Sequence, residues 1–219
     1  MSQTSNVLFQ LENVRYRDVL TIEQFVIPAG QITCLIGSSG GGKTTLLRLL
    51  AKLISPDSGT ITFANTLLSE RDSVTHRREV AMLSQQPILF PGTVADNLRV
   101  GLKIEGKEAT DEALYDVLKT VRLKQALDAD VEHLSGGEAQ RLALARILLL
   151  DRPVILLDEP SSALDEATER LIIETVVSTV REQGKTLVMA THSTDEARRH
   201  ADVIVQLENG RLKGREDHA

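Results

Sequence analysis

The sequence predicts an α/β fold in which one sheet is covered on both faces and a small helical lobe is attached. Short apolar runs at 154–157 and 186–190 are typical of strands buried on both faces. A glycine-rich segment at 37–44 joins a further apolar run to a helix-forming pattern. Between 93 and 131, helix formers with two apolar stripes indicate amphipathic helices, which we assign to the lobe.

Length and composition favour one domain, 1–219, with a core at 1–92 and 132–213, a lobe at about 93–131 and a frayed tail at 214–219. A net charge of -6 makes a nucleic-acid partner unexpected. The single cysteine, Cys34, fits a buried thiol in a reducing cytoplasm. No apolar window approaches the length of about 18 residues that spans a membrane, and the N-terminus lacks a signal-peptide pattern. We therefore expect any link to a membrane to come through a partner.

The N-terminal region, 7–27, alternates apolar and polar residues, and Pro28 closes it. This alternation predicts an antiparallel β layer. Tyr16 lies in the layer and has two interpretations, an aromatic that stacks on an adenine ring or a half-buried strand residue. The residues alone leave both open.

The glycine-rich segment fits the pattern G-x-x-x-x-G-K-[ST] at Gly37, Gly42, Lys43 and Thr44. Glycines let backbone N–H groups approach phosphate oxygens, and the N-terminus of the following helix, predicted at 43–53, adds partial positive charge. We expect Lys43 to reach the β- and γ-phosphates and the Thr44 hydroxyl to ligate Mg²⁺. A glycine-rich turn with a solvated lysine is the alternative, and the flanking strand and helix patterns favour the phosphate site.

The next segments predict a strand at 60–63, a polar stretch to 79 and a buried strand at 80–83. Pro87, Pro91 and Gly92 enforce a loop after this strand. Gln85 is therefore expected at the end of a core strand, facing the phosphate side.

A second glycine motif begins at Ser135 and runs into a strong helix pattern. Ser135 is a good N-cap, and Glu138 lies three residues later, as in a capping box. Gly136 and Gly137 leave this helix N-terminus open to an anion. We expect the dipole of the helix and a pair with Arg141 to offset the charge of Glu138.

Asp158 and Glu159 follow the apolar run at 154–157. In open α/β sheets, ligands bind at the carboxyl ends of the strands. Two adjacent carboxylates there are costly to bury without a cation or a phosphate-bound water, so a solvated acidic turn is the weaker interpretation.

The C-terminal third also alternates predicted helices and strands. Asp165 belongs to a cap before a helix from about 166 to 181, and the strand at 186–190 leads to His192. A short helix at 194–200 and a terminal hairpin from 203 to 212 follow. Taken alone, His192 is more often a satisfied histidine at a strand end.

Read together, six segments occur in the order of an ATP-binding cassette (ABC) ATPase, and the chain resembles that family over nearly its whole length. The segments are 37–44, Gln85, 134–138, 154–159, 162–165 and His192. The resemblance implies a P-loop NTPase fold with a RecA-like parallel sheet core, an antiparallel β layer and an inserted α-helical lobe. It also implies a head-to-tail dimer of two copies with two ATP molecules between them.

The same resemblance assigns roles to particular residues. Glu159, His192 and Gln85 are the implied catalytic residues, and Thr44, Gln85 and Asp158 the implied Mg²⁺ shell. Ser135, Gly136, Gly137 and Glu138 form the signature that contacts ATP held by the other copy, and Asp165 couples the two sites. The implied ATP-binding residues are Tyr16, Gly37, Ser38, Ser39, Gly40, Gly41, Gly42, Lys43, Thr44 and Thr45.

Within the family, the short chain and the stretch from 84 to 98 resemble the ATP-binding subunits of bacterial iron-export systems, the FetA/YbbL type. The resemblance implies an integral membrane permease as partner and a place on the cytoplasmic face of the inner membrane. ATPases of phosphate and amino-acid importers share the style of the loop at 85–92, and a soluble iron–sulfur assembly ATPase is a further alternative. A regulatory module without catalysis is disfavoured because Lys43, Asp158, Glu159 and His192 are all present.

Overall fold

The computed structural model describes residues 7–160 and 166–217, with the side chains of 166 and 167 left out. Its elements, in chain order, are β1 (Val7–Tyr16), β2 (Leu20–Pro28), β3 (Ile32–Ile36), α1 (Lys43–Leu50), β4 (Ser58–Phe63), β5 (Thr66–Leu67), α2 (Ser73–Glu79), β6 (Val80–Leu83), α3 (Val94–Ile104), α4 (Asp111–Thr120), a 3₁₀ turn (Val131–His133), α5 (Gly136–Leu149), β7 (Val154–Asp158), α6 (Glu166–Glu182), β8 (Thr186–Thr191), α7 (Thr194–His200), β9 (Val203–Glu208) and β10 (Arg211–Asp217).

Two sheets organise these strands. The larger has the order β10-β9-β3-β8-β7-β6, in which β3 runs parallel to β8 and β9, and β7 runs parallel to β8. The smaller is antiparallel, with the order β2-β1-β4-β5. Every residue of β7 and β8 is buried, because helices cover a parallel sheet on both faces. The predicted α/β class and the antiparallel β layer are confirmed.

The chain divides into two compact units. The first comprises residues 7–82, 153–159 and 180–217, and the second comprises 83–152, 160 and 166–179. The second unit contains the helices α3 and α4 of the predicted lobe, both of which pack against α5. No helix among the described residues is long and apolar enough to span a membrane.

The core of the first unit joins β1, β4 and α2. Phe9 and Phe63 pack with their ring centroids 4.9 Å apart, and the His76 ring meets Phe63 edge-on at 5.1 Å. His76 is fully buried, and its Nε2 lies 2.7 Å from the carbonyl oxygen of Leu50, the last residue of α1. Burial lowers the pKa of His76, the contact with the Leu50 carbonyl opposes this, and the positive charge of Arg71 adds to the lowering.

Three local predictions differ from the structure. Helix α1 ends at Leu50 rather than at 53. The polar stretch before residue 79 contains β5 and α2. Helix α2 was not predicted because it has no apolar stripe, His76 being its only buried residue. The predicted frayed tail is wrong for 214–217, where β10 continues in pairing with β9 through Asp217, because backbone hydrogen bonds form a ladder whatever the side-chain polarity.

Candidate functional site

The glycine-rich segment forms the predicted strand, loop and helix. It leaves β3 at Ile36 and enters α1 at Lys43. Gly37 has a φ of 148°, and a Cβ atom there would lie 2.1 Å from the carbonyl oxygen of Leu207 in β9. Only glycine allows the loop to pass this close to the neighbouring strand.

The N-terminus of α1 keeps its backbone donors clear of side-chain caps. Gly42, at φ 102°, is the N-cap, and among the described residues no side chain accepts a hydrogen bond there. Lys43 is 5% exposed, and its ammonium donates to the carbonyl oxygens of Gly37 at 2.7 Å and Ser38 at 3.1 Å. The ammonium and the helix dipole therefore place positive charge at the same loop, which is the arrangement that binds phosphate.

Two carboxylates from the end of β7 reach this loop. The Thr44 hydroxyl donates to Asp158 Oδ1 at 3.0 Å, and Glu159 Oε1 lies 3.6 Å from Lys43 Nζ. Asp158 is 2% exposed, so burial raises its pKa, while the Thr44 hydrogen bond opposes this rise. A lysine, a hydroxyl and two carboxylates thus converge from segments more than a hundred residues apart.

Glu159 has a left-handed backbone, with a φ of 47°. Its N–H donates to the carbonyl oxygen of Ala190 in β8 at 3.0 Å. For a residue with a Cβ atom this conformation costs about 1–3 kcal/mol, and such strain is concentrated at functional positions.

The Thr44–Asp158 pair fits a magnesium ion. Among the described residues there is no group of three or more His, Cys, Asp or Glu side chains that would form an all-protein metal centre. Mg²⁺ instead prefers one or two protein oxygens, with water and phosphate oxygens completing its octahedral shell. A hydroxyl beside a buried carboxylate, next to a phosphate-binding loop, supplies this donor set.

Tyr16 and His192 belong to the same unit. Tyr16 ends β1 and is half-buried, and the guanidinium carbon of Arg17 lies 5.2 Å from the centroid of its ring. His192 is exposed directly after the end of β8. Their expected contacts with adenine and with the γ-phosphate stay predictions.

In the second unit, Ser135 caps α5 as predicted. Ser135 Oγ accepts from the N–H of Glu138, and Glu138 Oε2 accepts from Ser135 N at 2.9 Å, which completes a capping box. The other carboxylate oxygen accepts from Gln125 Nε2 at 2.7 Å. The Ser135 hydroxyl also donates to Glu138 Oε2 at 2.7 Å. This hydrogen bond, together with those from Ser135 N and Gln125, lowers the pKa of Glu138 to about 2, and the charge of Arg141 lowers it slightly further. Ser135 and Gln125, rather than the expected pair with Arg141, therefore stabilise this carboxylate.

Gln85 is exposed in the second unit, two residues after β6. Asp165, the expected coupling residue, lies outside the described residues. Asn97 and Arg146 fix the loop that follows Gln85, and neither was among the site residues predicted from the sequence. The signal for them was weak: a single polar residue on an apolar face of α3 and a single arginine in the apolar second half of α5.

The glycine loop joins a strand to a helix that begins with a buried lysine, and the next residue's hydroxyl bonds a carboxylate at the end of a parallel strand. This combination defines a P-loop nucleotide-binding domain. The sequence profile of the ABC transporter family matches residues 20–162. The chain belongs to the ABC transporter family, in the class of ABC ATPases.

Several relatives resemble most of the chain. Protein STAR1 of Oryza sativa subsp. japonica is 39% identical over 206 residues, which cover 94% of this chain and 60% of STAR1. The chain thus spans less than two thirds of that relative. The phosphate import ATP-binding protein PstB 2 of Natronomonas pharaonis is 39% identical, with 89% of this chain and 73% of the relative covered. The probable iron export ATP-binding protein FetA of Escherichia coli K12 is 37% identical, with 94% and 93% covered.

A solved structure extends the likeness to the fold. A dimeric ATP-binding cassette in a post-hydrolysis state, bound to ADP and Pi, superposes with a TM-score of 0.86 at 27% identity. The match covers 96% of this chain and 98% of that chain. The predicted ABC ATPase fold is confirmed.

Proposed function

We propose that this chain is the ATP-binding and ATP-hydrolysing subunit of an ABC transporter that works with a separate membrane permease. The observation that carries the proposal is the convergence of Lys43, Thr44, Asp158 and Glu159 at one phosphate loop. Family membership supports the coupling of this site to transport.

Each residue of the site has a distinct role in the proposed reaction. Lys43 and the loop N–H groups bind the β- and γ-phosphates, and Tyr16 stacks on adenine. Thr44, Asp158 and Gln85 would hold Mg²⁺, which when bound would neutralise the charge that develops on the phosphate oxygens.

Glu159 polarises the attacking water, and its left-handed backbone is strain of the kind found at functional positions. His192 contacts the γ-phosphate from the end of β8.

The signature acts on a second copy of the chain. In a head-to-tail dimer, Ser135, Gly136 and Gly137 contact the γ-phosphate of ATP held by the other subunit, and Asp165 couples the two sites. A Cβ atom on Gly136 would meet no other atom within 4 Å, which leaves room for a partner at this helix end. The dimeric cassette with ADP and Pi supports this assembly.

The transported substrate is proposed to be a metal ion, with iron export as the specific case. FetA supports this choice because the match covers nearly all of both chains. Phosphate import is the second candidate, which the identity to PstB 2 favours.

ATP hydrolysis is tested first with the purified chain. Glu159→Gln should lower turnover by a factor of about 10²–10⁴ while ATP binding remains, because it removes the group that accepts the water proton. Lys43→Ala should instead weaken ATP binding. Unchanged turnover in Glu159→Gln would contradict the catalytic assignment.

The transporter assignment is tested in the native host. The tagged chain is purified from gently solubilised membranes, and mass spectrometry is expected to find a polytopic membrane protein in near-equal amount. Deletion of the gene should then raise cellular iron and leave phosphate uptake unchanged. Recovery of the chain from the soluble fraction alone would favour a soluble ABC ATPase, and a loss of phosphate uptake would favour import.

A further inference from the structure

The loop after Gln85 presents two apolar side chains to solvent. Ile88 is 67% exposed and Phe90 is 45% exposed. We call these two residues the apolar knob. Pro87 and Pro91 flank it and restrict its backbone.

A buried amide from α3 holds one end of the knob. The Asn97 side chain is fully buried, accepts from the N–H of Phe90 at 2.8 Å and donates to the carbonyl oxygen of Phe90 at 2.8 Å. These bonds satisfy both backbone groups of Phe90 and fix the loop on the N-terminal part of α3.

An arginine from α5 contacts both residues of the apolar knob. Arg146 donates from a terminal nitrogen to the carbonyl oxygen of Ile88 at 2.7 Å, and its guanidinium carbon lies 5.3 Å from the centroid of the Phe90 ring. Burial lowers the pKa of this guanidinium, yet arginine remains charged in proteins. The planar group therefore makes a charge-assisted hydrogen bond and a cation–π contact at once, which the point charge of a lysine does not reproduce.

Helix α5 connects this contact to the signature. The helix is continuous from Gly136 to Leu149, and Ser135 caps its first turn. Eleven residues separate Ser135 from Arg146, which corresponds to about 16 Å along a rigid helix at 1.5 Å per residue. A displacement at the capped end is therefore carried to Arg146 with little loss.

We propose that Arg146 is a positioning residue that joins the signature helix to the apolar knob, so that ATP bound against Ser135 moves the knob. This inference rests on the proposed function, in which the signature contacts ATP held by a second copy. Asn97 keeps the loop folded from α3, whereas Arg146 transmits the displacement directly, because it lies on the helix that the signature begins.

The test places a nitroxide on the knob of the purified full chain. Ile88→Cys provides the attachment point, and its backbone carbonyl remains available to Arg146. The native Cys34 is fully buried and burial raises its pKa to about 12, so the label reacts at position 88 alone. Electron paramagnetic resonance spectra are recorded with and without Mg-ATP in the Glu159→Gln background, and ATP affinity is measured on the same samples.

We expect ATP to change the spectrum of the parent, and Arg146→Lys to lose this change while its ATP affinity is retained. Arg99→Lys, which alters a half-buried arginine of α3 that pairs with Asp111, is the matched control and should keep the change. Asn97→Ala should raise the mobility of the label in both states but preserve the response to ATP.

Four results separate the possible failures. A full ATP response in Arg146→Lys, or its absence in a parent that binds ATP and dimerises, would overturn the role of Arg146. Loss of the response in Asn97→Ala as well as in Arg146→Lys would show that folding of the loop alone is required, which also overturns it. Failure of every sample to bind ATP, or to dimerise with ATP in size-exclusion chromatography, would instead contradict the proposed function.

Discussion

Replacement of Gly37 by alanine tests the close packing that shapes the phosphate loop. The added Cβ atom would lie 2.1 Å from the Leu207 carbonyl oxygen, whereas ordinary contact begins at 3.4 Å. Either the loop or strand β9 must therefore move by about 1.3 Å. Both sides of the clash are backbone, so no side-chain rotation relieves it.

The expected cost follows from two effects. Overpacking of this kind costs about 1–3 kcal/mol. The positive φ of Gly37 adds about 1–2 kcal/mol for a residue with a Cβ atom. The free energy of unfolding should thus fall by about 2–5 kcal/mol, which lowers the midpoint of thermal unfolding by about 4–20 °C for a chain of this size.

Gly40→Ala is the matched control in the same loop. Gly40 also has a positive φ, 77°, but a Cβ atom there would meet nothing within 4 Å. It should therefore lose only the backbone contribution, about 1–2 kcal/mol. Circular dichroism is used to monitor thermal unfolding of both variants without nucleotide. The difference between their midpoints measures the contribution of the clash alone. Equal midpoints for Gly37→Ala and Gly40→Ala would refute the reasoning.

Two further predictions concern buried polar groups. The pKa of His76 is lower in the folded chain than in the unfolded chain, so below about pH 6.5 the unfolded chain binds a proton that the folded chain does not. The free energy of unfolding should therefore fall as pH falls below about 6.5, with a slope of up to 1.36 kcal/mol per pH unit. In urea unfolding, His76→Gln should remove this pH dependence, whereas the control His133→Gln, which changes an exposed histidine, should keep it. An unchanged slope in His76→Gln would show that His76 is not its source. Thr44→Val should cost about 1–3 kcal/mol without nucleotide, because it removes a hydroxyl donor from the buried Asp158 carboxylate. Thr44→Ser should retain both stability and Mg²⁺-dependent ATP hydrolysis, and a similar midpoint for the valine and serine variants would argue against the hydrogen bond.

Structural features that depend on residues close together in the sequence were predicted correctly. The strand, glycine loop and helix at 32–50 and the capping box of Ser135 and Glu138 depend on local geometry, which spacing encodes. The positions of Asp158 and His192 at strand ends followed from apolar runs of the length of a buried strand.

The family resemblance implied that Thr44 and Asp158 share a site, but only the tertiary structure decided through which contacts distant groups meet. Strand β8 lies between β3 and β7, and α1 packs against β7 and β8, so Thr44 reaches Asp158 and Lys43 reaches Glu159. No spacing in the sequence encodes the order of strands in a sheet, because that order depends on how the crossover connections are packed. The contact of Arg146 with the Ile88 carbonyl has the same origin, since it joins a helix to a loop 58 residues earlier. Sequence periodicity therefore determined the elements and their ends, while packing determined the pairs of side chains on which the chemistry depends.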